Sequence, residues 1–96
     1  MPMVTLVTEN APPRLRGRLS LQLLELRAGV YAGDLHSAAR LFLWSIVEAH
    51  IENGSAVMCW PDPLNASGID FKAIGENRRI PVIIDGLLLP KFTEIN

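Results

Sequence analysis

Ninety-six residues amount to one domain, and a chain this short buries roughly 60–65% of its unfolded surface, so a partner chain would add stability. Apolar residues make up 49% and charged residues only 20%, which favours apolar surface kept for association over a fully solvated monomer. A net charge of −1 excludes a global pull on nucleic acid, so any such binding has to come from local clustering of the nine Lys and Arg. They are clustered, with Arg14, Arg16 and Arg18 near the start and Arg78 and Arg79 near the end.

Residues Met3 to Glu9 are rich in Val, Thr and Leu and predict a first strand. Both faces of it carry apolar residues, which marks a central strand. A first helix is expected from about Pro12, with Leu15, Leu19 and Leu23 on one stripe, Arg14 and Arg18 on one flank and Arg16 on the other. Near Gln22 to Leu24 the pattern changes to strict alternation through Gly33, the period of a second strand. Asp34 is a candidate cap for a second helix running to about Asn53, with Gly54 as a left-handed stop. Its core stripe reads Leu35, Ala38, Ala39, Phe42, Ile46 and Ala49. Trp44 and Ile51 then fall on the outer side, either as a contact surface or as isolated exposed apolar residues. His36 and His50 are expected to be surface and partly packed residues of this helix.

Ala56 to Trp60 predicts a third strand and Ile69 to Ile74 a fourth, separated by a loop with two prolines. The elements read β, α, β, α, β, β, with both helices laid on one face of a mainly antiparallel sheet. That is the ferredoxin-like α+β sandwich of βαββαβ type. After the polar Glu76-Asn77-Arg78-Arg79, the pair Asp85-Gly86 between two apolar runs signals an extra C-terminal β-hairpin. Little core is left for it to cover, so residues 81–96 are expected to dock a partner; the alternative is an ordinary edge hairpin.

One cysteine, Cys59, inside an apolar run excludes an intramolecular disulfide and indicates a reducing compartment and a buried thiol. The first residues show neither a basic leader nor a long apolar run, and no stretch approaches membrane-spanning length. A cytoplasmic protein with no membrane partner is the expectation. No repeat or linker divides the chain, so residues 1–96 are taken as one domain.

The stretch from Thr8 to Leu19 concentrates the chemistry. Glu9 and Asn10 end the first strand, Asn10 is a candidate N-cap, and Pro12-Pro13 suits a first helical turn. The orphan amides of such a helix, beside three arginines, would attract phosphate. The alternative is a capped surface helix with solvated charge.

Thr8-Glu9-Asn10 with Pro12-Pro13-Arg14-Leu15-Arg16-Gly17-Arg18-Leu19, then Ala28-Gly29-Val30-Tyr31 with Gly33-Asp34, and finally Asn77-Arg78-Arg79 with Pro81-Val82 and Asp85-Gly86, closely resemble the second CRISPR-associated protein family, Cas-two, of type I-E systems. Three motifs in the same order and spacing carry the resemblance. It implies a ferredoxin-like homodimer at the centre of a spacer-acquisition complex, holding double-stranded protospacer DNA and bridging dimers of the Cas-one integrase. It also implies backbone contacts from Arg14 and Arg16 and from Arg78 and Arg79, with Asn10 and Arg18 beside them. The docking segment it implies runs from Pro81 and includes Val82, Ile84, Leu87, Leu88 and Leu89.

The wider family is described as a Mg²⁺-dependent endonuclease using an acidic residue at the end of the first strand. Glu9 stands at that position, as the implied metal-binding and catalytic residue. Two symmetry-related carboxylates suffice for Mg²⁺ without being diagnostic of it, and no general base accompanies Glu9 in the sequence. The non-catalytic scaffold is therefore the preferred reading, with nuclease as the alternative. Tyr31 stands without a set of stacking aromatics, which disfavours readout of single-stranded RNA.

Overall fold

β1 (Met3–Glu9) is the central strand of a five-stranded sheet, paired antiparallel with β3 (Val30–Asp34) on one side and β4 (Ser55–Pro61) on the other. β2 (Leu24–Arg27) lies outside β3 and β5 (Ile69–Ile74) outside β4, so the order is β2-β3-β1-β4-β5 with every neighbour antiparallel. Helices α1 (Pro13–Leu19) and α2 (Ser37–His50) complete an α+β fold compatible with the ferredoxin-like layout, in which β1-α1-β2 and β3-α2-β4 interleave. The computed structural model describes residues 2–75 throughout and, beyond them, the backbone of two strands, 79–84 and 87–92. These strands, β6 (Arg79–Ile84) and β7 (Leu87–Phe92), pair with each other as a separate antiparallel ladder.

The expected second strand is two. The alternation from Leu24 to Gly33 breaks at Ala28-Gly29, where the chain turns back on itself. A bulge between Glu25 and Arg27 brings Leu24 opposite Ala32 and Glu25 opposite Tyr31. Residues of equal parity thus share a face on both strands, and the turn leaves no mark in the pattern. The split supplies the βαββαβ order that five separate elements up to β4 could not.

α2 is also phased differently from expectation. It begins at Ser37 after an N-cap at His36, not after Asp34, because Leu35 is still extended, with its N–H donated to the Pro2 carbonyl at 3.0 Å. Its buried residues are Leu43, Trp44 and Val47, with Ile51 just beyond; Leu41 and Phe42 are exposed. Trp44 and Ile51 are therefore core while Phe42, Ala38 and Ala49 are exposed; of the expected stripe, Leu35 lies in the core and Ala39 and Ile46 pack against it. Gly54 is not a left-handed stop either: Glu52 takes the positive φ of 54°.

The described residues share one core. Val4 and Leu6 of β1, Tyr31 of β3 and Ala56, Met58 and Trp60 of β4 meet Leu15 and Leu19 of α1 and the buried side of α2. The opposite face of the same strands carries Thr5, Val7, Ala32, Val57, Cys59, Phe71 and Ala73, and neither helix crosses it. Cys59 is half-buried there, not enclosed. Among the described residues no helix is long and apolar enough to cross a membrane.

Candidate nucleic-acid interface

Close backbone packing at one end of the sheet sets the site. The carbonyl of Gly29, in the β2–β3 turn, accepts hydrogen bonds from the Thr8 N–H at 2.7 Å and the Thr8 hydroxyl at 3.2 Å. Gly29 has a φ of +80° and a Cβ there would lie 2.6 Å from the Thr8 carbonyl oxygen, so only glycine fits. On the other side of β1, a Cβ on Gly54 would meet the carbonyl oxygens of Asn10 and Glu9 at 2.6 and 2.7 Å. Gly75 in turn packs against Gly54 and Ser55. Glu9, Asn10, the Arg27 end of β2 and the start of the segment leading to Arg78 and Arg79 thus share one end of the sheet.

Asn10 is not the cap of α1. It adopts a left-handed turn with φ 57°, a conformation asparagine tolerates, and Pro12 holds the N-cap position with no side-chain hydrogen bond. α1 is only seven residues long, so Arg16 and Arg18 fall in its last turn, where they complement the carbonyl end. Of the three guanidinium groups, only that of Arg14 lies beside the start of α1.

The three arginines part as the helical spacing predicts. Arg14 is exposed and makes no ion pair among the described residues. Arg18, on the same flank, reaches α2, its Nη1 lying 3.1 Å from His50 Nε2; since arginine only donates, that nitrogen accepts. Arg16, on the other flank, faces β2 and β3, with Nη2 3.5 Å from Glu25 Oε2 and side chains 48% and 31% exposed. The same carboxylate oxygen accepts the Gly29 N–H at 3.3 Å. That backbone donor is the chief reason the Glu25 carboxyl is held below its usual range, with Tyr31 and Arg16 adding to it. Tyr31 and Glu25 together raise the Arg16 guanidinium.

Tyr31 is fully buried. Its hydroxyl is near enough to influence both charges yet has no hydrogen-bond partner among the described residues, and burial raises it above the usual tyrosine range. Neither Glu25 nor Gly29 was flagged by the sequence as part of a site. The signal for Gly29 was a lone glycine inside an alternating run. Arg27, exposed at the same end and unpaired among the described residues, was likewise missed, whereas Arg40 is committed elsewhere, stacked 4.2 Å from the Trp60 ring centre. Arg78 and the side chains of Arg79, Pro81, Val82, Ile84, Leu87, Leu88 and Leu89 lie outside the described residues.

Glu9 ends β1 on the face that no helix covers, opposite Ser55 in the β4 register. Among the described residues no three His, Cys, Asp or Glu side chains gather closely enough to hold a metal ion. One copy of the chain offers Mg²⁺ a single carboxylate at this position, so water, phosphate or a second copy would have to supply the rest of its six oxygen ligands.

A family model described as CRISPR-associated protein (Cas_Cas2CT1978) matches residues 3–89. The chain belongs to that family. A Cas-two-type protein has a role in a CRISPR system, and the match spans the sheet, both helices and most of the C-terminal strands.

Proposed function

We propose that this chain is the scaffold subunit of CRISPR adaptation in the type I-E branch: a cytoplasmic homodimer that holds double-stranded protospacer DNA by its backbone and bridges dimers of the Cas-one integrase. The observation that carries the reading is the division of the domain into an apolar sheet face that neither helix covers and a helix face bearing arginines. A second copy laid on the open face would bury Val7, Val57 and Phe71 and leave the helix faces that carry Arg14, Arg16 and Arg18 accessible on both copies. With Arg78 and Arg79 added from each copy, phosphate contacts by Arg14, Arg16, Arg78 and Arg79 of the two chains would give a salt slope on the order of −7 as an upper bound, with no sequence preference. The segment from Pro81 onward is proposed as the integrase dock.

Metal-dependent nuclease is the second reading, favoured by the exposed Glu9 at the end of β1 on the open face, where a two-fold axis would bring two carboxylates together. Mg²⁺ is not required for the scaffold role. Mass in solution, measured for the protein alone and mixed with the integrase and a short duplex, tests the scaffold; a monomer that ignores duplex DNA at low salt rejects it. Glu9→Gln separates the two readings. Spacer acquisition that survives it supports the scaffold, and acquisition lost while the complex still assembles supports the enzyme.

A further inference from the structure

Two arginines of α1 are held by unlike partners. Arg16 lies against the Glu25 carboxylate, whose charge opposes its own, whereas Arg18 donates to the neutral Nε2 of His50 at 3.1 Å. A guanidinium held by a neutral base is oriented without being neutralised. Histidine is also the side chain whose ordinary charge change falls between about pH 5 and 8. His50 is half-buried in the last turn of α2. From α1 it faces Arg18, with exposed Arg14 one turn back on the same flank. Its own helix carries exposed Glu48 on a different side, and the turn beyond it carries exposed Glu52. The strands β1, β3 and β4 turn no charged side chain toward the helices.

We propose that Arg14, Arg18 and His50 form a phosphate site on the helix face whose strength is set by the protonation of His50. With the imidazole neutral, Arg18 is anchored to α2 and offers a duplex its remaining N–H groups. A proton on Nε2 turns the acceptor into a donor and ends the bond between Arg18 and His50. Three cationic groups then share one surface and none can accept from another, so the oxygens of a phosphodiester become their common acceptor. The repulsion among them in the free chain is eased because Arg18 and His50 each stand in the last turn of a helix, at its carbonyl end. The site rests on the duplex-binding reading above and adds to it a residue and a direction: DNA is held more tightly as pH falls through the range of histidine.

Affinity for a short mixed-sequence DNA duplex, read by fluorescence anisotropy at fixed salt at about pH 8 and about pH 6, tests the site with the native chain, His50→Gln and His36→Gln. The chain has only these two histidines. On acidification the native chain and His36→Gln should gain about threefold or more, the scale of one hydrogen bond, while His50→Gln stays level. The salt slope of the native chain should steepen by roughly 0.9 for each His50 that gains a phosphate. Linkage is reciprocal, so the duplex should raise the pH at which the His50 imidazole titrates by NMR, by about half a unit for a threefold gain. That midpoint is read on the native chain and stands even if His50→Gln melts early. A native affinity that ignores pH, an equal rise in His50→Gln, a rise lost in His36→Gln, or a His50 titration unmoved by DNA overturns the site and leaves the duplex-binding reading intact. No duplex binding at either pH, at low salt, overturns both.

Discussion

The two faces of the sheet are built from alternate residues of the same strands, and both are apolar, yet the two helices cover only one of them. On the helix face Leu6 and Tyr31 are 0% and Met58 1% exposed; one residue along from Leu6 and Met58, Val7 and Val57 are 36% and 37% exposed. A strand that faces water on one side normally alternates apolar with polar. β1 and β4 instead place Thr5, Val7, Val57 and Cys59 on the open side. The charges there sit at the margins, with Glu9 at one end of β1 and Asp34 at the far end of β3. An apolar field rimmed by charge has the composition of a protein contact, not of a solvated surface.

The sharpest way to break this comparison is one substitution on each face. Leu6→Ala, in the core, should destabilise the fold by about 2–5 kcal/mol, read as a lower denaturation midpoint. Val57→Lys should leave the fold of one chain near its native stability, since the site is exposed there, but place an unpaired charge in the proposed dimer contact, which is strongly unfavourable. The expected result is a native-like circular dichroism spectrum with the mass of a monomer. A dimer that persists through Val57→Lys would mean that the open face is not where two copies meet.

Both faces were legible in the sequence only in part. β1 as a central strand, β4, β5 and the flanks of the α1 arginines followed from periodicity alone, because each of those signals is local. The β2–β3 turn did not, because the bulge after Glu25 preserves parity across it and Gly29 alone had to announce the reversal. α2 was phased from Leu35, which belongs to the preceding extended segment two residues before the helix begins, and Phe42 was placed in the core where Trp44 lies. At the candidate site, Arg14, Arg16 and Arg18 were visible as a cluster. Their partners Glu25 and His50 were not, since these meet the arginines only through the packing of α1 against β2 and α2.

Gly29 sharpens the comparison because it pins which residues face which way. A slip of β3 by one residue would carry Tyr31 to the open face and Ala32 into the core. Gly29→Ala forces a side chain into a left-handed conformation and against the Thr8 carbonyl, so a loss of about 1–3 kcal/mol is expected, with an unchanged denaturant slope if the register holds. A changed slope, together with new exposure of Tyr31 by fluorescence quenching, would mean that the register itself depends on this turn.

The smallest effect concerns the one carboxylate on the helix-covered side of β2. The Gly29 N–H holds the Glu25 carboxyl below its ordinary value of 4.5, so between those two values the unfolded chain binds the proton and the folded chain does not. Stability from this group is therefore fully present above that ordinary value and is lost as pH falls through the lower, folded-state value. Glu25→Gln should flatten the acid side of a plot of denaturation midpoint against pH and leave the neutral side nearly level with the native chain. Measured in the Val57→Lys background, the comparison is free of any acid effect on association. Parallel acid limbs for the two chains would show that Glu25 is not held by the turn, and that the helix-covered face reaches its edge without help from charge.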